Sequence, residues 1–163
     1  MKPTALNAQI AKLINDRLTD EYFAHYSYQA ISNYCYSVGF MKAGEYFKKE
    51  SDDELVHARK LQEFLFGWNV IPDLPVIAKP KLEFKTLLEV IELAYKLEID
   101  LYNAYNDICE TIEEADSAVY QFLTFFLNVQ TESVAAYSDM INLCEGVPSD
   151  KLNMLLLEKK LFG

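Results

Sequence analysis

The stretch DELVHARKL, residues 53–61, places a carboxylate and an imidazole three positions apart in a segment of helical period. Residues three apart on a helix project side by side, so Glu54 and His57 can contact one common ligand. The apolar stripe of this segment runs through Phe47, Glu54 and Leu61 at a spacing of seven, which puts Glu54 on the core face. Because a lone Glu-x-x-His pair is usually solvated, its meaning depends on the other helices.

Three further segments interrupt their apolar stripes with a polar side chain. Glu21 lies in the seam of the first predicted helix, and Tyr28 follows it at a spacing of seven. Glu98 lies among aromatic residues on the third, and the amide of Gln130 has the corresponding place on the fourth. A buried carboxylate loses hydration worth several kcal/mol, which a bound metal ion offsets. Carboxylates with an imidazole suit iron or manganese, so the sequence predicts a buried metal site.

The spacing of the apolar residues predicts an all-α fold. Five Gly and five Pro occur in the 163 residues, and they cluster between long segments of helical period. Four long helices and a shorter fifth are predicted at about residues 6–37, 41–66, 83–111, 117–145 and 150–161. A helix of nearly thirty residues is roughly 40 Å long, and such rods pack as a bundle.

Turn and capping residues predict how these helices are connected. A short turn at Gly39 makes the first two helices antiparallel neighbours, and Ser149 is the predicted N-cap of the fifth. Residues 68–82 hold three prolines and are predicted to form a long crossover. The acidic segment 112–116 is interpreted as a solvated turn. Two hairpins joined by a crossover make a four-helix bundle, and residues 1–163 are predicted to form one domain.

Charge and cysteine usage limit the partners and the compartment. A formal net charge of -10 and a sequence pI near 4.6 disfavour nucleic acid and anionic membranes and favour cations. Cys35, Cys109 and Cys144 are odd in number and far apart, which is typical of free thiols in a reducing compartment. We therefore expect a cytoplasmic protein, and no targeting or membrane-spanning segment is predicted.

Four motifs, taken together, resemble the non-haem ferritin family over almost the whole chain. They are LTDEYFAHYSYQAIS (18–32), DELVHARKL (53–61), AKPKLEFKTLLEVIELAYKLE (78–98) and FLTFFLNVQTES (122–133). The resemblance implies a ferritin-like bundle with a ferroxidase di-iron centre. It implies Glu21 as ligand of the first iron, Glu54 as the bridging carboxylate and His57 as the imidazole ligand. It further implies Glu98 as ligand of the second iron and Gln130 as the amide that orients water or oxygen.

The resemblance also bears on residues around this centre. Tyr28 matches the family's tyrosine beside the iron, where it can donate a hydrogen bond or an electron. Many prokaryotic ferritins hold a third iron, whose site would fall here at Asp53, Val129 and Glu132. Leu55 stands where bacterioferritins place a haem-binding methionine, so no haem is expected.

The function that the resemblance implies is iron storage and detoxification. Acting as a ferroxidase, the chain would oxidise Fe(II) with oxygen or peroxide and deposit a mineral inside a self-associated shell of roughly 24 subunits. Two alternatives remain open. One is a carboxylate-bridged di-iron oxidoreductase that acts on another substrate, and the other is a structural shell subunit with weak ferroxidase activity.

Overall fold

The computed structural model describes residues 3–112 and 116–163, in which the regular elements are five helices without a strand. They are α1 (Ala8–Val38), α2 (Met41–Gly67), α3 (Leu87–Thr111), α4 (Ser117–Cys144) and α5 (Lys151–Phe162). α1 packs mainly against α2, and α3 packs mainly against α4. α1 also contacts α3, while α5 contacts α2. The predicted all-α four-helix bundle with a short fifth helix is confirmed.

The ends of α1 are fixed by local sequence. The side chain of Asn7 accepts hydrogen bonds from free backbone N–H groups of the first turn, so α1 begins at Ala8, slightly later than predicted. At the other end Gly39 has φ of 90°, a left-handed conformation that glycine adopts without a Cβ clash. This allows the N–H of Phe40 to donate to the carbonyl of Cys35 at 2.8 Å. The chain therefore turns back at once into α2.

The predicted start of α3 and the predicted N-cap of α5 are wrong. α3 begins at Leu87, about one turn later than predicted, because the extended Thr86 caps it by accepting a backbone N–H bond of 3.1 Å. α5 is capped by Asp150 and not by Ser149, since the Asp150 carboxylate accepts the backbone N–H bond of 3.1 Å. Of the predicted turn between α3 and α4, residues 113–115 lie outside the described ranges.

The crossover between the two hairpins occupies residues 68–86. It is tied to α1 by Asn15, whose side-chain oxygen accepts the Asp73 N–H at 2.8 Å and whose amide nitrogen donates to the Asp73 carbonyl at 2.9 Å. Asn69 also donates to the carbonyl of Pro3 at 2.7 Å. These bonds satisfy part of a segment that forms no helix.

The core of the bundle is apolar, with a few polar side chains inside it. Those buried are Glu21, Ser27, Ser32, Ser51, Glu54, His57, Glu98, Gln130 and Glu158. Charged side chains are seldom buried without a partner or a bound ion. The four carboxylates in this set therefore need an explanation. None of the helices in residues 3–112 and 116–163 has an apolar stretch that could span a bilayer.

One of the four, Glu158 of α5, caps the start of α2. Its Oε1 accepts the backbone N–H groups of Lys42 at 2.6 Å and Ala43 at 2.9 Å. The residue before α2, Phe40, offers no side-chain cap of its own. The positive end of the α2 dipole adds to the attraction for the carboxylate. Glu158 therefore fastens the C-terminal helix to the first hairpin.

Replacing Glu158 by alanine is expected to lower the free energy of unfolding by about 1–2 kcal/mol, because two N–H groups lose a charged acceptor. Urea unfolding of the metal-free protein measures this change. Glu92→Ala removes an exposed carboxylate from α3 and serves as the control. Equal stability of the two variants would contradict the capping role.

Candidate metal centre

Three helices contribute acidic side chains and one imidazole to the middle of the core. Glu21 comes from α1, Glu54 and His57 come from α2, and Glu98 comes from α3. One ligand atom each of Glu21, Glu54 and His57 lies within 4.8 Å of the others. Glu98 is outside this three-residue group, although its charge acts on both Glu54 and His57. From α4, Gln130 is buried with no exposed surface.

The imidazole of His57 lies between two carboxylates. Its Nδ1 is 2.9 Å from Oε2 of Glu54 and 3.6 Å from Oε2 of Glu21. The rings of Phe125 and Phe126 present their edges to it, with centroids 6.0 and 5.9 Å away. These rings leave the imidazole little water, which strengthens every charge interaction inside the site.

Two buried tyrosines hold the carboxylates on α1 and α3. The hydroxyl of Tyr28 donates to Oε1 of Glu98, and the hydroxyl of Tyr105 donates to Oε1 of Glu21. Burial, reinforced by the nearby carboxylates, raises the pKa of both tyrosines well above its ordinary value. Both hydroxyls therefore stay protonated and remain donors.

Several buried polar atoms of this cluster lack a hydrogen-bond partner among the described residues. They are Oε2 of Glu21, Oε2 of Glu98, and both the oxygen and the nitrogen of the Gln130 side-chain amide. A buried polar atom without a partner costs roughly 1–3 kcal/mol, and more when it is charged. Free carboxylate oxygens beside an imidazole are the donor set that iron or manganese takes. The residues present therefore fit a bound cation.

Burial and the crowding of negative charge shift the pKa values of the ionisable groups in the site. Burial, followed by the charge of Glu21, raises the pKa of Glu54 well above its ordinary value. Burial also raises the pKa of Glu98 to about 7, with Glu21 adding to the rise and the Tyr28 hydrogen bond opposing it. For His57, burial lowers the pKa, but Glu21 and Glu98 outweigh it and the net shift is upward. Each shift indicates a site short of positive charge.

The other predicted ligands lie at the surface. Asp53 and Glu132 are both exposed. Asp53 does line a cavity of about 280 Å³ that reaches Glu54 and His57, and Val129 lines it as well, whereas Glu132 does not. The third iron site at these positions stays a prediction.

Sequence reasoning missed two polar side chains. Tyr105 bonds Glu21, and its spacing of seven from Glu98 repeats that of Tyr28 from Glu21, which was a usable signal. Glu50 lies one turn before Glu54, lines the same cavity, and accepts a hydrogen bond of 3.4 Å from Tyr137. Burial raises the pKa of Glu50.

Comparison with known families agrees with this architecture. The family model described as Ferritin, a ferritin-like domain, matches residues 11–147, which include nearly all of the four long helices. The chain belongs to the ferritin family. Among relatives of this ferritin chain, a bacterial non-heme ferritin of Staphylococcus aureus is 24% identical over 96% of the chain and 95% of the relative. A probable bacterial non-heme ferritin-like protein of Haemophilus influenzae is 27% identical over the same shares.

Solved structures extend the comparison to three dimensions. An open pore ferritin from the archaeon Archaeoglobus fulgidus superposes with a TM-score of 0.90 at 23% identity, covering 96% of this chain and 98% of that one. A humanized archaeal ferritin gives 0.89 at 25% identity, covering 96% of both chains. The predicted membership of the non-haem ferritin family is confirmed by the family model and the named relatives.

Proposed function

We propose that this ferritin stores and detoxifies iron and that it is a ferroxidase. Fe(II) is the substrate of the buried cluster, where it is oxidised to Fe(III) by oxygen or peroxide. The observation that carries the proposal is the pair of free, buried carboxylate oxygens on Glu21 and Glu98 around the Glu54–His57 pair. No ordinary packing role accounts for three buried carboxylates with a single imidazole beside them.

Each side chain has a definable part in this proposal. Glu54 would be the carboxylate shared by the two irons, because its side chain lies in one group with Glu21 and His57 and the charge of Glu98 also acts on it. His57 supplies the neutral nitrogen ligand to one iron. Gln130 offers an amide that can orient water or the oxidant, in accord with its unpartnered oxygen and nitrogen. Bound iron supplies the electrons, and the protein holds two irons close enough to share one oxidant.

The wider molecule suits an iron store. Its net charge of -10 attracts Fe(II) and raises its local concentration, an effect that salt weakens. We further propose that copies of the chain associate into a hollow shell, of roughly 24 subunits by the family resemblance, that retains the ferric mineral in the cytoplasm.

An oxidoreductase acting on an organic substrate is the main alternative. The cavity that reaches Glu54 and His57 has a volume of about 280 Å³, which is at or below the small end of typical ligand pockets. Iron itself needs no larger cavity, so this observation favours the ferroxidase.

Adding Fe(II) aerobically to the metal-free protein tests the proposal. Ferric absorbance is expected to rise roughly 100-fold faster than with a Glu54→Ala, His57→Ala double variant, because the double variant loses two ligands of one site. Particle mass, followed in the same sample, is expected to show a large assembly that retains iron. Equal oxidation rates would refute the ferroxidase, and a monomer that releases its iron would refute the store.

A further inference from the structure

α1 and α3 carry the same pair of side chains at the same spacing. Glu21 and Tyr28 are seven residues apart on α1, and Glu98 and Tyr105 are seven residues apart on α3. A spacing of seven is close to two helical turns, so the members of each pair lie on one face. All four side chains have no exposed surface.

The two pairs bind each other reciprocally. Tyr28 of α1 donates to Glu98 of α3, and Tyr105 of α3 donates to Glu21 of α1. This crosswise match requires the two helices to run antiparallel at the level of the cluster. In both Glu21 and Glu98, one carboxylate oxygen accepts a hydrogen bond from a tyrosine, and the other has no hydrogen-bond partner in the described part of the chain.

Tyr105 is held firmly enough to orient a ligand. Its ring stacks on Phe126 of α4, with centroids 4.5 Å apart and planes 16° from parallel. Its hydroxyl engages Oε1 of Glu21, while Oε2 of the same carboxylate is 3.6 Å from Nδ1 of His57. The tyrosine therefore fixes which oxygen of Glu21 turns toward the imidazole.

We propose that Tyr105 is a positioning residue for Glu21, equivalent to Tyr28 for Glu98, so that the centre has two matched halves. The inference rests on the proposed function, since it assumes that Glu21 and Glu98 each bind a metal ion. A hydrogen bond from outside the ligand set orients the ligand and tunes its donor strength. Loss of either tyrosine hydroxyl should weaken the binding of one metal ion and leave the binding of the other unchanged.

Titration with Co(II), whose visible absorption reports ligand number and geometry, tests this without any oxidation step. Wild-type protein is expected to bind two ions. Tyr105→Phe keeps the stacked ring and is expected to weaken one binding step by about 10- to 100-fold, with an altered absorption spectrum for that ion. Tyr28→Phe should weaken the other step. Tyr102→Phe, on the same helix as Tyr105, is the matched control, because the Tyr102 hydroxyl makes no hydrogen bond within the described part of the chain.

The outcomes separate the inference from the proposed function. Failure of the wild-type protein to bind two ions overturns the di-iron function itself. Two wild-type ions with normal binding by Tyr105→Phe, or equal weakening of both steps, overturns the positioning role alone. If Tyr105→Phe does not fold, the Tyr28→Phe protein replaces it. In the Tyr28→Phe protein, binding of Co(II) should still change the tyrosine ultraviolet spectrum, because Tyr105 remains beside the ligand Glu21. If the spectrum does not change, the positioning role of Tyr105 is overturned.

Discussion

Replacing Glu54 by glutamine is expected to abolish paired metal binding and, at the same time, to stabilise the metal-free protein. Glu54 is 3% exposed, and burial with the charge of Glu21 raises its pKa well above 4.5. Keeping such a group in the core lowers the free energy of unfolding near neutral pH, whether the carboxyl ionises there or takes up a proton. Glutamine keeps the shape without the charge, so the gain in unfolding free energy should be on the order of 1–4 kcal/mol.

The loss of binding should be larger than for any other single ligand. Glu54 is the proposed bridge, so glutamine removes an anionic oxygen from both ions, whereas a change at Glu21 or Glu98 removes one from a single ion. We expect Fe(II) oxidation to fall by roughly 100-fold or more and Co(II) binding in pairs to disappear.

Two measurements on the same preparations check this result. Urea unfolding in the presence of a chelator gives the stability, and Co(II) titration gives the binding. Asp52→Asn removes one exposed carboxylate from the same helix and controls for net charge; neither quantity should change with it. A Glu54→Gln protein that is less stable than wild type without metal would show that the carboxylate stabilises the core.

Loss of metal binding together with a gain in metal-free stability is expected from the composition of the site. Among the described residues the middle of the core holds the buried carboxylates of Glu21, Glu54 and Glu98 and one imidazole, with free oxygens on Glu21 and Glu98. Such an arrangement is unfavourable without a cation and favourable with one. If the proposed function holds, bound metal stabilises the fold as well as serving as substrate, and apolar packing around the cluster offsets the cost when metal is absent.

The sequence predicted the bundle and the burial of the cluster because both depend on periodicity. Glu21, Glu54 and Glu98 each interrupt an apolar stripe at a spacing of seven, and each is buried in the structure. Helical geometry alone carries a residue from such a stripe into the core. Tyr105 obeys the same rule, but its hydrogen bond to Glu21 depends on the antiparallel pairing of α1 and α3, which a single stripe does not encode.

Features that depend on contacts distant in sequence were not predictable. Glu158 caps the start of α2 by accepting the backbone N–H of Lys42, which is 116 residues away in sequence. No local pattern links an acidic residue in α5 to the start of α2. The prediction of Ser149 as the N-cap of α5 was wrong for another reason. Ser149 and Asp150 are both good caps by residue type, and the sequence does not show which of them has the extended backbone of an N-cap, which in the structure is Asp150.

The pH dependence of stability is expected to reverse when metal binds. In the metal-free protein, burial raises the pKa of Glu98 from 4.5 to about 7. The folded state therefore holds a proton that the unfolded state has lost, and stability falls as pH rises through that range. The upward shifts in the pKa of Glu54 and of His57 have the same sign. From Glu98 alone the loss between about pH 5 and about pH 8 is on the order of 3 kcal/mol.

Bound metal changes the sign because it takes the place of those protons. Carboxylates must be deprotonated to act as ligands, so affinity rises with pH over the range in which the metal-free protein loses stability. Thermal unfolding with a chelator or with excess Co(II), at several values between about pH 5 and about pH 8, should give slopes of opposite sign. Glu98→Gln should flatten both slopes, because it removes the proton and the ligand together. Parallel slopes in the two series would mean that protons and metal do not compete at Glu98, and the carboxylate would then lie outside the metal site.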